Sequence, residues 1–348
     1  QEKHVVDKVK QSYSQVDIVF GTHNIHMLPE MILQKLGDDK KVFDVWDIDG
    51  DIIEGLPVKR TGDKNALVTI MYGCNNFCTY CIVPYVRGRE RSRSPHDILE
   101  EVKELASEGC KEIMLLGQNV NSYDGGDGYK FSNLLRDIDK IQGIDIVRFM
   151  SPHPKDFTDD VIDAIAECKS VCKVIHLPLQ SGSSNVLKLM NRKYTKEQYL
   201  ELVDRIRNKV KDVTFTTDII VGFPGETEED FLDTLDVVEK VKFEQVFMFI
   251  YSVRKGTVAE KMPNHIPEDV KSERFNRLKV LSDKITEDEN KKYIGTVQKV
   301  LVEGESKTNS DVLTGRTRSN KIVNDTIRMY KIILILTKTI SFHCCYVS

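Results

Sequence analysis

Three cysteines in the stretch Gly73-Cys74-Asn75-Asn76-Phe77-Cys78-Thr79-Tyr80-Cys81 are spaced C-x-x-x-C-x-x-C, directly after the apolar run from Leu67 to Tyr72. Thiols this close together, in a chain with no mark of secretion, point to metal rather than to disulfides. Three is an incomplete set for a structural zinc site, which takes four ligands, and iron–sulfur clusters in electron carriers usually take four cysteines. A 4Fe-4S cluster held by Cys74, Cys78 and Cys81 would leave one iron open, and an open iron can bind a substrate. No such pattern surrounds the other cysteines. Cys168 and Cys172 share a helical spacing without further ligands and read as packing residues, Cys110 stands alone, and Cys344-Cys345 has no partner motif. His23 and His26, in the loop Gly21 to His26, lack a carboxylate or cysteine to complete a zinc set; a polar loop capping the next helix is the simpler reading.

The elements around these residues must present them. From Ala66 onward, strand and helix patterns alternate about six times. Strands are predicted at Leu67 to Tyr72, Glu112 to Leu116, Asp145 to Met150, Lys173 to Leu177, Val213 to Val221 and Gln245 to Tyr251. Helices are predicted at Pro95 to Ser107, Phe131 to Ile141, Pro154 to Cys168, Ser183 to Asn191, Lys196 to Val210 and Glu226 to Val241. Such alternation implies parallel pairing through right-handed crossovers, and six units make an incomplete (βα)6 TIM-like barrel. Chemistry in these folds gathers at the C-terminal strand ends, where the cysteine motif falls. Gly117-Gln118-Asn119, Gln180-Ser181-Gly182 and the run from Thr217 through Asp218 and Gly222 to Gly225-Glu226 close three other strands with small or polar groups that could dock a nucleoside. Gly222 and Gly225 read equally well as turn glycines, and Glu226 as a helix-start carboxylate. Beside the motif, Arg87, Arg89, Arg91 and Arg93 are interleaved with small residues and could fork onto phosphates or a carboxylate, or form a solvated loop.

The flanks differ in character. Residues 1 to 50 alternate a helix at Lys3 to Ser14, a strand at Asp17 to Phe20, a helix at Leu28 to Leu36 and a strand at Val42 to Trp46, like the last part of an α/β domain; residues 51 to 65 read as a linker. Residue 1 is Gln and leads at once into a helical pattern, so the front reads as missing. A charged helix, Pro267 to Tyr293, leads to strands at Thr296 to Glu303 and Asp311 to Thr317, with Lys307, Arg316 and Lys321 among them: the composition of a small RNA-binding β-barrel, or of a solvated face. After about Asn324 the alternation of charges stops, and Ile327 to Ser348 reads as an aberrant tail. The 348 residues carry a formal net charge of −4, with 40% apolar and 30% charged residues. This is an ordinary globular composition, and any RNA contact must come from local basic patches. No apolar stretch approaches the roughly 18 residues of a membrane span, and a cytoplasmic location is expected.

The motifs resemble the radical S-adenosylmethionine methylthiotransferase family: the run from Val68 to Pro95, Leu115 to Tyr123, His176 to Ser183, Met190 to Thr195, Thr216 to Thr227 and Phe249 to Thr257. The loop Phe20 to Glu30 and the run Glu54 to Arg60 resemble the branch that acts on N6-isopentenyl adenosine in tRNA, and Lys299 to Lys307 with Leu313 to Asn324 resemble the family's RNA-binding TRAM domain. The resemblance implies a radical S-adenosylmethionine core over residues 66 to 285, preceded at 1 to 50 by the end of the family's N-terminal α/β domain and followed at 286 to 348 by an incomplete TRAM barrel.

It implies a 4Fe-4S cluster on Cys74, Cys78 and Cys81, which also carry the catalysis, and S-adenosylmethionine bound by Tyr80, Gly117, Gln118, Asn119, Gln180, Ser181, Asp218, Gly222 and Glu226. RNA would be held by Arg87, Arg89, Arg91, Arg93, Lys307, Arg316 and Lys321. The implied reaction converts N6-isopentenyl adenosine at position 37, next to the anticodon, into its 2-methylthio derivative. The implied partners are the tRNA anticodon loop, a low-potential electron donor such as flavodoxin or ferredoxin, and a sulfur donor, with the chain a monomer away from membranes. Three further family cysteines, which hold a second cluster, have no counterpart here. The chain is therefore expected to bind one cluster and cleave S-adenosylmethionine without completing sulfur insertion. Two alternatives remain open: a sister methylthiotransferase acting on threonylcarbamoyl adenosine or a ribosomal protein, and a non-catalytic RNA-binding protein.

Overall fold

The computed structural model describes residues 3–21, 24–45, 52, 64–325 and 339–341. His23, most of the expected linker, Cys344, Cys345 and most of the expected tail lie outside the described residues. Helix α1 (Lys3–Ser12), strand β1 (Ile18–Phe20), helix α2 (Leu28–Asp38) and strand β2 (Val42–Asp44) come first. β1 and β2 pair in parallel, Ile18 against Val42, with α2 as the crossover that parallel pairing needs. The loop between them is satisfied internally. Buried Asn24 accepts from the Gly21 N–H at 2.8 Å and donates to the Asp44 carbonyl at 2.9 Å, and His26 lies in the short 3-10 turn Ile25–Met27.

Next come β3 (Asn65–Thr69), β4 (Met71–Tyr72), α3 (Val83–Arg87), β5 (Arg91–Ser92), α4 (Pro95–Ser107), β6 (Glu112–Leu116), α5 (Phe131–Asp139), β7 (Ile146–Phe149) and α6 (Asp159–Glu167). They are followed by β8 (Val174–His176), α7 (Ser184–Leu189), α8 (Lys196–Lys209), β9 (Thr214–Val221), α9 (Glu228–Val241) and β10 (Gln245–Ile250). β3-β6-β7 and β8-β9-β10 are parallel sets, linked by the bridge from Val147 to Val171. The result is a six-stranded open barrel with β3 and β10 as its first and last strands. Alternation along β9 shows its two faces: Phe215, Thr217, Ile219 and Val221 are buried, while Thr214, Thr216, Asp218 and Ile220 are half-buried and line the lumen. The buried apolar face, with Val68, Ile113, Leu115, Val147 and Ile175, packs on Ile98, Leu134, Ile162, Val203 and Val238 of the surrounding helices. Each such side chain contributes about 1.5–3 kcal/mol by leaving water.

Two expected elements divide. The strand expected from Leu67 to Tyr72 breaks at Ile70, whose N–H completes the β3–β6 pairing on the Leu116 carbonyl at 2.9 Å and whose carbonyl accepts from the Arg93 N–H at 2.9 Å. β4 then leaves the sheet and pairs antiparallel with β5, Met71 with Ser92 and Tyr72 with Arg91, which clamps the base of the cysteine loop. A continuous apolar run carries no signal for this change of partner. The helix expected from Pro154 to Cys168 starts as the 3-10 turn Pro154–Asp156 and restarts as α6, where the Thr158 hydroxyl accepts from the Val161 N–H at 3.3 Å.

The charged helix α10 (Glu268–Lys291) crosses the expected domain border at 286, and then β11 (Val297–Ser306), β12 (Asn309–Thr317), β13 (Ile322–Asp325) and β14 (Thr339–Ser341) form an antiparallel sheet in the order β13-β12-β11-β14. The turn after β12 docks on the N-terminal ends of the barrel strands, away from the cysteines. Arg148 of β7 pairs with Glu112 of β6 at 3.0 Å, both side chains buried, and donates to the carbonyls of Arg318 at 3.0 Å and Thr317 at 3.1 Å. In return Arg318 donates to the carbonyls of Lys169 and Ser170. Among the described residues, no helix is long and apolar enough to cross a membrane.

Candidate active site

The cysteine loop begins with a backbone constraint. Gly73 has φ +72°, and a Cβ there would stand 2.0 Å from the Arg89 carbonyl oxygen, so no other residue fits the close approach of β4 and the segment before β5. Beyond it the loop is tied on three sides. The Cys74 N–H donates to the Gly88 carbonyl at 3.2 Å, the Thr79 N–H to Met190 at 3.1 Å, and the Ala259 N–H to the Thr79 carbonyl at 2.8 Å. Glu90 accepts from the Asn75 N–H at 3.1 Å, and Asn191 donates to the Phe77 carbonyl at 3.0 Å.

Cys74 and Cys78 are buried, Cys81 is half-buried, and none is in a disulfide. Burial pushes the Cys74 and Cys81 thiols up, and the charges of the neighbouring cysteines add to that. Working against it, the Asn76 amide donates to the Cys74 sulfur at 3.5 Å, and the charges of Arg254 and Arg192 act on Cys81. Buried Arg192 also donates to the Cys78 sulfur at 3.5 Å. Among the described residues, no three His, Cys, Asp or Glu side chains converge as a single metal ion requires. Three thiols that repel one another as thiolates, each with a donor or cation beside it, fit a larger polynuclear cation that replaces their protons on binding.

The expected cofactor residues separate into two groups. Asn119 is buried; its amide nitrogen donates to Asp156 at 2.8 Å and Glu90 at 3.3 Å, while its oxygen and the Gln118 side-chain oxygen are buried with no partner. Two orphaned acceptors beside two carboxylates fit an ammonium group, such as that of an amino-acid moiety. Tyr80 is turned inward, its ring 6.4 Å from Phe223, which in turn packs 5.3 Å from Tyr251, so an aromatic wall runs from the cysteine loop to the ends of β9 and β10. Asp218 faces the lumen, and Gln180 takes a left-handed conformation (φ 69°) at the end of β8, its carbonyl accepting from the Ile220 N–H at 2.9 Å.

The second group is structural in its contacts. Gly117 backs onto Met71, where a Cβ would meet Cγ at 2.5 Å. Ser181 is turned to α9, 3.4 Å from the Thr234 hydroxyl. Glu226 is buried and braces the turn after β9 from behind. One carboxylate oxygen accepts from the Gly222 N–H at 2.9 Å and from Arg274 at 2.9 Å, and burial raises its pKa to about 7. Gly222 has φ +75° with Lys271 against it, so the turn itself requires glycine.

Of the four arginines, Arg87 and Arg89 are exposed, with Arg89 lying 4.5 Å over the Phe77 ring. Arg91 is half-buried, and Arg93 is committed to the Thr69 carbonyl and Glu101, both at 2.7 Å. In the C-terminal sheet Lys307 is exposed, Arg316 pairs with Glu303 at 3.1 Å, and Lys321 lies 3.6 Å from Glu244. Arg192 was not singled out from the sequence, although it also holds the Tyr194 hydroxyl at 2.9 Å and the Pro178 carbonyl at 3.1 Å. Its exposed neighbour Lys193 has the same polar character, and nothing local separates them. His153 was missed as well: burial, with Arg192 and Lys155 beside it, lowers its pKa to about 2, so the ring is neutral against Tyr194. Clefts on the outer surface, about 470 Å³ between α4 and α5 and about 420 Å³ beside α8, are lined without the three cysteines.

Open barrel, cysteine loop and strand-end polar groups together define a radical S-adenosylmethionine protein, and the Radical SAM superfamily model matches residues 68–238. The tRNA-2-methylthio-N(6)-dimethylallyladenosine synthase of Acetivibrio thermocellus is 56% identical over 93% of this chain and 68% of its own length. Those of Clostridioides difficile and Clostridium perfringens are 54% and 55% identical, over 68% and 73% of their lengths. The chain belongs to the tRNA-2-methylthio-N(6)-dimethylallyladenosine synthase family, whose cofactors are a 4Fe-4S cluster and S-adenosylmethionine. Among solved structures, Escherichia coli coproporphyrinogen III oxidase superposes with a TM-score of 0.49 at 14% identity, over 74% of this chain and 67% of that one.

Proposed function

We propose that this chain supplies the radical S-adenosylmethionine core of a tRNA methylthiotransferase that converts N6-isopentenyl adenosine at position 37, beside the anticodon, into 2-methylthio-N6-isopentenyl adenosine. The observation that carries the reading is the trio of free thiols, two of them hydrogen-bonded by Asn76 and Arg192, at the C-terminal ends of six parallel strands, in a chain 56% identical to a synthase of that name. Bound there, the cluster and S-adenosylmethionine supply one-electron cleavage of a carbon–sulfur bond and the power to take hydrogen from an unactivated carbon. This chain's residues do the rest. Cys74, Cys78 and Cys81 ligate the cluster, and Arg192 holds the Cys78 sulfur in place. The orphaned Gln118 and Asn119 oxygens accept from the cofactor's ammonium, and Tyr80, backed by Phe223, walls the pocket against water. Gln180 and Asp218 line the same strand ends, with Gly117, Ser181, Gly222 and Glu226 supporting them from behind.

The substrate is a loop nucleotide, which can leave its stack to enter the lumen. Exposed Arg87 and Arg89 contact its strand near the cluster, and Lys307 contacts RNA from the C-terminal sheet. In this reading residues 1–50 belong to the family's N-terminal α/β domain, 51–65 link it, 66–285 are the core, and 286–348 are a TRAM-like module. A low-potential electron donor and a sulfur donor serve the monomer in the cytoplasm. The test is mass spectrometry of tRNA nucleosides from a deletion strain complemented with the gene. The 2-methylthio nucleoside is expected with the intact gene and should vanish with Cys78→Ala; product formation by Cys78→Ala would refute the assignment.

A further inference from the structure

Lys155 takes a neutral partner over a charged one. It follows β7 in the 3-10 turn Pro154–Asp156, where its backbone is held on both sides. The Lys155 N–H donates to His153 Nδ1 at 3.2 Å, and buried Asn121 clamps His153, accepting from its N–H at 2.8 Å and donating to its carbonyl at 2.9 Å. From this turn the Lys155 ammonium stands 3.9 Å from the neighbouring Asp156 carboxylate, yet it donates at 2.6 Å to the side-chain oxygen of Asn76. Asn76 is buried, and its amide nitrogen donates to the Cys74 sulfur at 3.5 Å. An amide carries an acceptor oxygen at one end and N–H donors at the other. A cation on the oxygen fixes which end faces the sulfur, and by polarising the amide it strengthens the N–H as a donor. A second pair on the same loop ends on the backbone instead. Lys193 donates to the Asn191 oxygen at 2.5 Å, and the Asn191 nitrogen donates to the carbonyls of Asn76 at 3.4 Å and Phe77 at 3.0 Å.

We propose that Lys155 is a positioning residue for the cluster: acting through Asn76, it holds a charge-assisted hydrogen bond on the Cys74 sulfur and raises the potential at which the cluster accepts an electron. The inference rests on the cluster assignment above. On taking one electron from its low-potential donor the cluster gains one negative charge, part of which falls on the thiolate sulfurs. A donor aimed at such a sulfur stabilises the reduced cluster more than the oxidised one, and hydrogen bonds to the sulfurs are among the factors that set these potentials. The Lys155 side chain is 32% exposed, so replacing it alters the surface and leaves the core intact. What is lost is the charge behind the Asn76 amide and the contact that fixes the direction of that amide.

The experiment uses the full chain with its cluster reconstituted anaerobically, for the native sequence, Lys155→Met, Lys155→Arg and Lys193→Met. Iron and sulfide are counted per chain. The midpoint potential is then measured by titration with dithionite and redox mediators, followed by visible absorption and electron paramagnetic resonance. Potential is a property of the loaded clusters, so incomplete loading of a variant leaves the readout valid. Expected for Lys155→Met is a ratio of reduced to oxidised cluster about three- to tenfold lower at a given poise, a midpoint about 30–60 mV more negative at about 59 mV per decade for one electron. Lys155→Arg keeps the charge and should stay near native. Lys193→Met removes an exposed cation whose asparagine ends on the backbone, and should shift the potential much less. A native potential in Lys155→Met, or a shift as large in Lys193→Met, overturns the proposal. A native chain that takes up no 4Fe-4S cluster overturns the cluster assignment and the proposal with it, whereas a loaded cluster with an unshifted potential overturns the proposal alone.

Discussion

Replacing Arg148 by Met removes the charge that holds Glu112 and the hydrogen-bond donors to the turn after β12. The Arg148 and Glu112 side chains are only 6% and 11% exposed, and the ion pair is 3.0 Å long. Removing one partner of a buried pair leaves an uncompensated charge and costs about 3–5 kcal/mol. The Thr317 and Arg318 carbonyls lose their donors too, at about 1–3 kcal/mol for each that stays dry. Opening of the docked sheet lets water reach both and offsets that second loss, so about 3–5 kcal/mol is the expected total. Glu112→Leu combined with Arg148→Met should recover most of the ion-pair share, since apolar groups of similar volume replace buried pairs at little net cost. Urea denaturation followed by tryptophan-independent far-ultraviolet dichroism measures the native chain and both variants, and limited proteolysis between β12 and β13 reports release of the sheet. A loss below about 1 kcal/mol in Arg148→Met would place the pair in the range of exposed surface bridges and refute the latch.

Other expectations follow from the same geometry. Glu226 has its pKa raised by burial to about 7 from an ordinary 4.5, so its contribution to stability is whole below 4.5 and is lost as pH rises toward 7; Glu226→Gln should flatten that fall in pH-dependent denaturation. His153 has the opposite sign. Lowered by burial to about 2 from 6.5, it contributes fully above pH 6.5 and loses that contribution as pH falls, so His153→Phe should soften the acid limb of the same curve. Gly73→Ala drives a Cβ into the Arg89 carbonyl and should displace Cys74, seen as iron content per chain falling severalfold after anaerobic reconstitution; full iron loading would contradict the constraint. Arg192→Met leaves the Cys78 sulfur and the Pro178 carbonyl without that donor, and should shift the visible absorption of the reconstituted cluster even where the iron count is native.

Much of the barrel was legible because its signals are local. Apolar runs of strand length alternate with helical periods, and β6 and α4 fall at the predicted residues. Thr195 and Thr227 each form a capping box at the start of α8 and α9, within a turn of the predicted helix starts. The change of partner at Ile70 was not legible, since the same apolar residues serve a sheet strand and a hairpin strand. Nor was the division among the polar strand-end residues. Gln118 and Asn119 present orphaned oxygens, while Ser181 and Glu226 are consumed by α9, Gly222 and Arg274, although all four look alike in the sequence.

What the sequence determined by itself is the chemistry: three thiols at fixed spacing, glycine where the backbone leaves no room, and the alternation that builds a parallel open barrel. These depend on residue type and on neighbours a few positions away. Tertiary structure decided which strand-end polar groups are left unpartnered, which arginine stands over the Cys78 sulfur, and where the C-terminal sheet docks. Each of those depends on contacts between residues far apart in the chain, such as Arg192 with Cys78 and Arg148 with Thr317. Burial and hydrogen-bond partners across that distance are set only when the strands and helices close on one another.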